Sequence, residues 1–391
     1  MKKAFSFRIY PNKNQEVKLN RTLNTCRYLY NNSLTERRRR AELNNLCRNF
    51  DVFSWGKPEW LTYEDQANSL AKNKTPEQKE VYSQVLQNTL KRLDRSFKNF
   101  YNGFGYPRFQ GRNRYNSFTY PQSGFELENG KLNLSKIGNI KIVQHRDIEG
   151  KIKICTIKKD VDQWYAILST EIDREIRKVP VVSKTGIDVG LTSLLTLSNG
   201  EQIKPPKLLR ASEKRLTRKQ IRLSRKQKRS NNRKKQVITV ARVHRKIRNQ
   251  RKDFAHKTSR TLVNTYDHIV FENLQIQNMV QNHHLAKSIM DAGWYQLISL
   301  TKSKAEYAGK VVELVNPKGT SQVCICGCPV PKKLSMRIHN CPGCGLVLGR
   351  DHVSAIVIES RSTVGTTEIQ ARMSSLNIDT MKREAHTLQR E

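Results

Sequence analysis

Alternation opens the chain. In Ala4-Phe-Ser-Phe-Arg-Ile-Tyr10 every second side chain is apolar, the period of a half-buried strand, and Pro11-Asn12 closes it. From Gln15 to about Leu46 the period lengthens. Leu19, Leu23, Cys26, Tyr30 and Leu34 recur at three- or four-residue steps, which predicts one long helix carrying the run Arg37–Arg40. A loop is expected through Trp55–Pro58. Thr75-Pro76 then reads as the cap and first residue of a second helix, running through Val81, Val85, Leu86, Leu90, Leu93 and Phe97 to Tyr101. Between Gly103 and Asp173 the texture turns to β. Short alternating runs at Ser117–Tyr120, Lys131–Leu134, Ile140–Val143, Lys151–Ile157 and Trp164–Ser169 are separated by turn residues at the spacing of a small barrel or sheet. That block is expected to pair with the first strand, which makes the helices an insertion.

An α/β region begins near Gly186. Thr185–Val189 and Leu194–Leu197 read as adjacent strands. From Lys204 to Arg260 the chain is packed with Lys and Arg and nearly free of acids, yet Leu216, Ile221, Leu223, Val237, Val240, Val243 and Ile247 keep helical spacing. Two long basic helices with a break near Asn231-Asn232 follow from that pattern. Strands at Asp267–Phe271 and Lys310–Val315 flank a helix at Leu297–Ala308, and a last helix runs from Arg350 to about Arg361. The final 30 or so residues lack periodicity and are expected to be disordered.

Charge narrows the class. The 391 residues hold 72 Lys+Arg against 34 Asp+Glu, a formal net charge of +38. A compact chain must tolerate that repulsion, and a polyanionic partner, nucleic acid, relieves it. No apolar run approaches the roughly 18–20 residues of a spanning helix, and the polar turn at Arg8 is unlike a signal peptide, so a cytoplasmic protein without a membrane partner is expected.

Five of the eight cysteines crowd one segment: Cys324, Cys326, Cys328, Cys341 and Cys344. Two clusters a dozen residues apart, with a glycine after the second Cys-x-x-Cys, suit a tetrahedral structural zinc. Cys341 and Cys344 form the second pair. The first is open: spacing favours Cys324 with Cys328, whereas the Cys-Gly echo of Cys344-Gly345 favours Cys326.

Three acids end apolar runs: Asp188 in Thr-Gly-Ile-Asp-Val-Gly-Leu, Glu272 in His-Ile-Val-Phe-Glu-Asn-Leu and Asp351 in Leu-Gly-Arg-Asp-His. One such acid is usually a strand-end charge. Three in an α/β region beside a basic segment suit hard-ligand binding of Mg²⁺, as in two-metal phosphodiester hydrolysis.

These segments resemble the TnpB family, transposon-encoded RNA-guided nucleases related to type V CRISPR effectors. The resemblance runs through Phe7–Asn12, Cys26–Asn31, Gly105–Phe109, Gly186–Gly190, Phe271–Leu274, Leu285–Trp294, Thr320–Cys324 and Arg350-Asp351. It implies an α/β and β multi-domain chain. Residues 1–14 and 103–183 would form a wedge β-barrel with a helical recognition lobe, 15–102, inserted. Residues 184–318 and 349–363 would form an RNase H-like (RuvC) nuclease domain, interrupted by a zinc-binding insert, 319–348, and followed by a disordered tail, 364–391. Asp188, Glu272 and Asp351 would be the catalytic, Mg²⁺-binding triad, and Cys324, Cys326, Cys341 and Cys344 the zinc ligands, with Cys328 the alternative to Cys326. The implied partners are a guide RNA from the transposon end and a double-stranded DNA target, bound by a monomeric ribonucleoprotein.

Candidate nucleic-acid contacts are Arg8, Arg27, Tyr106, Arg108, Arg242, Arg245 and Arg248. Ser83, Gln84 and Gln87 are placed where a short duplex motif would be read, since Gln can pair bidentately with adenine. Two departures from the family pattern stand out. Val353 replaces the usual Asn two residues after Asp351, where it cannot donate hydrogen bonds, and the first zinc pair is one residue short. A nuclease-inactive RNA-guided repressor is the alternative, but it would be marked by lost carboxylates, and all three are present. A strand-transfer transposase fits less well, because that chemistry usually ends in Glu.

Overall fold

Strand β1 (Lys2–Tyr10) carries the expected alternation and buries Phe5, Phe7 and Ile9. This computed structural model describes residues 1–49, 59–112, 114–173, 175–333 and 336–362, so the loop expected through Trp55–Pro58 and the tail expected over 364–391 lie outside the described residues. The chain divides into two units, Met1–Arg174 and Glu175–Glu391.

In the first unit β1 is followed by helices α1 (Lys13–Asn49), α2 (Tyr63–Lys72), α3 (Pro76–Lys79) and α4 (Ser83–Tyr101). Strands β2 (Ser117–Tyr120), β3 (Phe125–Glu128), β4 (Lys131–Leu134), β5 (Gly138–Val143), β6 (Lys151–Asp160) and β7 (Gln163–Glu171) complete it. The expected second helix is in fact two. Thr75 caps α3 in a capping box with Gln78, but Tyr82 turns extended, stacks its ring on Tyr120 at 5.8 Å, and α4 starts afresh at Ser83. Helix α2 was not expected, although its own capping box, Thr62 with Asp65, is written in the sequence.

All seven strands form one antiparallel sheet in the order β2-β6-β7-β1-β5-β4-β3. The two edge strands, β2 and β3, are joined by only Pro121–Gly124. Five Cα steps span at most about 18 Å, whereas six strand spacings in a flat sheet span about 29 Å. The sheet must therefore curl until its edges meet, and Tyr120 on β2 does touch Phe125 on β3, their ring centroids 6.5 Å apart. No ladder joins β2 to β3, so the expected barrel is closed in shape but not in hydrogen bonding. Helices and sheet share one apolar cluster that joins Phe5, Phe7 and Ile9 to Leu19, Cys26, Leu86, Leu90 and Leu93.

The second unit runs β8 (Lys184–Val189), β9 (Leu195–Leu197), β10 (Gln202–Ile203), α5 (Leu208–Ser224), α6 (Asn231–Thr265), β11 (His268–Glu272), α7 (Ile276–Met279) and α8 (His283–Ala292). Then come α9 (Trp294–Ala308), β12 (Val311–Val315), β13 (Ile338–Asn340), β14 (Val347–Gly349) and α10 (Arg350–Ser360). The basic stretch is two helices as expected. Ser230 caps the second, accepting from the Arg233 N–H at 3.1 Å, so the break precedes Asn231. The sheet order is β10-β9-β8-β11-β12, antiparallel among the first three strands and parallel from β8 to β12. β11 is buried along its whole length, and Ile269 and Phe271 pack with Leu262 and Val263 of α6 and Leu297 and Ala305 of α9. Among the described residues no helix is long and apolar enough to cross a membrane.

Candidate functional site

Parallel pairing sets Asp188 beside Glu272. In the β8–β11 ladder Phe271 lies opposite Ile187, and the acids follow at the next step, at the carboxyl ends of neighbouring strands and on the same face. The crevice beyond such strand ends is where open α/β sheets bind ligands.

Asp351 arrives on the last helix, which begins at Arg350 as expected. It sits in the first turn of α10, where the helix dipole favours a carboxylate. Helix α10 lies on β8 at Gly186, where a Cβ would come within 2.2 Å of the Ala355 carbonyl oxygen and 2.5 Å of the Glu359 nitrogen. Both are backbone atoms that cannot swing aside. Gly186→Ala is therefore expected to lower stability by about 1–3 kcal/mol and to displace Asp351 from Asp188. Thermal melting with a cleavage assay checks this, and an unshifted melt would refute it.

The electrostatics bind the three acids into one site. Burial, followed by the negative charges of Glu272 and Asp351, pushes Asp188 up to about 7. Burial also raises Glu272, opposed by a hydrogen bond from the Thr320 hydroxyl and by the charge of Arg361. Asp351 is held by Arg350, whose Nε and Nη2 donate to Oδ1 at 3.1 and 3.0 Å, with Arg337 3.9 Å from Oδ2. Carboxylate oxygens are hard donors of the kind Mg²⁺ takes, and the charges of Glu272 and Asp351 reach Asp188, although the ligand atoms of the three acids are not drawn into a metal-sized cluster as the cysteine sulfurs are.

The cysteine segment forms a second candidate centre. The sulfurs of Cys324, Cys326, Cys341 and Cys344 all lie within 4.8 Å of one another, the one such cluster of possible metal ligands among the described residues. Cys324 to Cys344 is 3.7 Å and Cys326 to Cys341 is 3.6 Å. A tetrahedral zinc with bonds of about 2.3 Å needs sulfurs about 3.8 Å apart, so the cluster fits the ion. Burial raises the Cys341 thiol, but the N–H groups of Cys344 and Gly343 and its neighbouring thiols outweigh it and hold it down at about 6, the thiolate form a metal takes.

Cys328 stays outside the cluster, contrary to the spacing argument. The Gly327 N–H bonds the Cys324 carbonyl and the Cys324 N–H bonds the Cys328 carbonyl, a turn so tight that Cys326 at its tip reaches the other sulfurs. Val353 is also explained. It is buried with Cys324, Cys341, Leu346, Leu348 and Val357, so an apolar side chain there packs against the cysteine segment.

The nucleic-acid candidates are scattered. Ser83, Gln84 and Gln87 share the first turns of α4, where Lys74 donates to the Ser83 hydroxyl and Gln84 accepts from the Ser123 N–H. Arg8 and Arg27 are half-buried and lie over Tyr10 and Tyr28. Tyr106 and Arg108 are exposed on the loop after α4. Arg242, Arg245 and Arg248 lie on α6 beside its buried stripe Val240–Val243–Ile247; Arg242 and Arg248 are exposed and Arg245 half-buried. Sequence reasoning missed Thr320, Arg337 and His352. The His352 Nε2 lies 3.1 Å from the Ser198 carbonyl and ties α10 to the turn after β9. No periodicity marks these three; only their proximity to the acids does.

Comparison with known proteins supplies the lineage. Residues 1–45 match a family described as "Helix-turn-helix domain", 167–283 one described as "Probable transposase" and 294–358 one described as "Cas12f1-like, TNB domain". Over 365 residues the chain is 34% identical to "Putative RNA-guided DNA endonuclease" of Streptomyces pristinaespiralis, covering 90% of this chain and 87% of that protein. Over 344 residues it is 31% identical to "Putative RNA-guided DNA endonuclease InsQ" of Escherichia coli (strain K12), covering 83% of each. The chain belongs to the TnpB family. Residues 1–45 nonetheless hold no helix-turn-helix here: they are β1 and part of the unbroken α1. A Cas12f1–guide RNA–target DNA complex aligns over 92% of the chain at 17% identity and a TM-score of 0.36, too loose to carry residue correspondences.

Proposed function

We propose that this TnpB-family chain is an RNA-guided DNA endonuclease whose DNA-cutting centre is Asp188, Glu272 and Asp351. The observation that carries the reading is the convergence of these acids: two on adjacent parallel strand ends, the third on a helix seated against one of those strands. The match over most of their length to relatives named "Putative RNA-guided DNA endonuclease" supports it. In this reading residues 184–318 and 349–363 are the RuvC-like nuclease domain and 319–348 the zinc insert. Residues 1–14 and 103–183 are the wedge and 15–102 the helical recognition lobe.

The three carboxylates would hold Mg²⁺, which when bound supplies Lewis-acid polarisation of the scissile phosphodiester. Thr320 fixes the orientation of Glu272, and the Gly186 seat fixes Asp351 relative to Asp188. Cys324, Cys326, Cys341 and Cys344 would hold a structural zinc, with all four positions filled by protein and none open for substrate. The guide RNA would come from the transposon end and read a double-stranded target, with the chain acting as a monomeric ribonucleoprotein in the cytoplasm.

The test is to purify the chain, sequence the RNA that accompanies it, and supply plasmid DNA complementary to that RNA with Mg²⁺. Cutting that follows the RNA sequence is expected; cutting independent of it would refute the reading. RNA retention should also fall on the order of 10³-fold between 50 and 200 mM salt, given about six or more phosphate contacts. Charge reversal of Arg242, Arg245 and Arg248 should weaken retention in protein that melting shows to be folded, since the buried stripe of α6 is Val240–Val243–Ile247 while all three arginines also make contacts of their own. Full retention in that variant would remove this helix from the interface.

A further inference from the structure

Between Arg95 and Tyr115 the chain holds seven aromatic residues, five Lys or Arg, and no Asp or Glu. The structure sorts the rings into two layers. The inner layer is built: Tyr106 packs edge-on against Phe97 at 5.7 Å and against Phe100 at 5.1 Å. Arg38 of α1 lies over both Tyr106 and Phe109, at 5.4 and 5.1 Å from their ring centres. The loop is pinned to α1, because the Asn31 amide donates to the Gln110 carbonyl and accepts from the Gln110 N–H. The outer layer faces solvent: Tyr101 is 73% exposed, Phe104 68% and Phe109 46%. Phe97 is buried, with Tyr106 packed on it and Phe100 on Tyr106, whereas Tyr101, which touches Phe100 at 5.6 Å, Phe104 and Phe109 are the more exposed rings, more than a packing role requires. Arg38 on α1 and Arg95, Arg108, Arg112 and Arg114 of the same stretch are all exposed, and none is in an ion pair among the described residues.

Exposed rings beside exposed arginines, with Asp94 already paired to Lys98 and Arg37, have one natural ligand chemistry. Bases offer π-faces only when they are unpaired, and the phosphates between them meet the arginines. A duplex would present its backbone and leave the rings unused. We propose that this face of the first unit, centred on Tyr101, Phe104 and Phe109, binds an unpaired stretch of RNA by stacking its bases. The proposal rests on the RNA-guided reading and deepens it by naming which part of the RNA this unit holds.

Because the whole chain is basic, the test must report on the rings themselves. A single-stranded RNA of about 12 nucleotides carrying 5-iodouridine, irradiated on the intact protein, should crosslink to Tyr101, Phe104 or Phe109. Tyr101→Ala with Phe104→Ala should weaken binding of the same RNA on the order of 10- to 100-fold and leave the salt slope unchanged, while Phe104→Trp retains binding. Arg108→Ala should instead reduce the slope by about 0.7. The exposed rings can be cut back without loss of fold, which melting verifies. Equal loss of binding to an RNA duplex, or crosslinks confined to other residues, would overturn the proposal. Tighter ring-dependent binding of the matching DNA strand would overturn the assignment to RNA. Guided cleavage that survives loss of the ring effects would remove only this platform. Ring-dependent binding without guided cleavage would keep the platform and remove the nuclease reading.

Discussion

Asp188→Ala is expected to reduce Mg²⁺-dependent cleavage by about 10³-fold or more while leaving guided DNA binding nearly intact. The charges of Glu272 and Asp351 act on this side chain, so its removal would delete a metal ligand and also lower the negative charge facing the DNA. For the same reason the variant should not be less stable. Asp188 gains little from its neighbours, since Glu272 and Asp351 repel its ionised form. Without metal the variant should melt at or above the parent's temperature, and added Mg²⁺ should stabilise the parent more than the variant. Plasmid cleavage and thermal melts with and without Mg²⁺ check both halves. Cleavage within tenfold of the parent would place the nuclease centre elsewhere.

Loss of zinc should be as damaging by a different route. Cys324 and Cys341 share an apolar cluster with Val353 and Val357 on α10, the helix that carries Asp351 two residues before Val353. A four-cysteine zinc contributes on the order of 10 kcal/mol to the fold of its segment. Without it that cluster loses one wall and the first turn of α10 loses its support. Cys341→Ser is expected to release the single zinc, expose the segment around residue 340 to proteolysis and abolish cleavage. Cys328→Ser should keep the metal, because its sulfur lies outside the cluster, whereas Cys326→Ser should release it. Elemental analysis alongside limited proteolysis decides the matter; a zinc-free parent, or metal lost only from the Cys328 variant, would overturn the assignment.

The first strand and first helix were legible because their periods are strong and long. Alternation over Ala4–Tyr10 matches β1, and the apolar positions from Leu19 to Leu34 form the buried face of α1. The break between α3 and α4 was not legible. Nothing in the local pattern stops a helix at Glu80; what stops it is the extended Tyr82 and its stacking on Tyr120, a residue on a strand more than thirty positions away. The cysteine segment split along the same line. The presence of a four-sulfur site was readable from residue type and spacing, but the choice of Cys326 over Cys328 depended on a two-bond turn that spacing does not encode.

By itself the sequence determined which residues could do chemistry: three acids after apolar runs, five crowded cysteines and a charge of +38. Local chemistry is written in residue type, and periodicity is a property of a few neighbours. Only the tertiary structure decided which of these groups act together. It set Asp188 beside Glu272 through a parallel register, brought Asp351 to them on a helix that approaches β8 because residue 186 has no Cβ, and turned Val353 toward the cysteines. It also supplied Thr320 and Arg337, whose roles exist only at the end of long-range contacts. Convergence depends on register and packing between distant segments, and those are chosen by burial across the whole domain rather than by any run of adjacent residues.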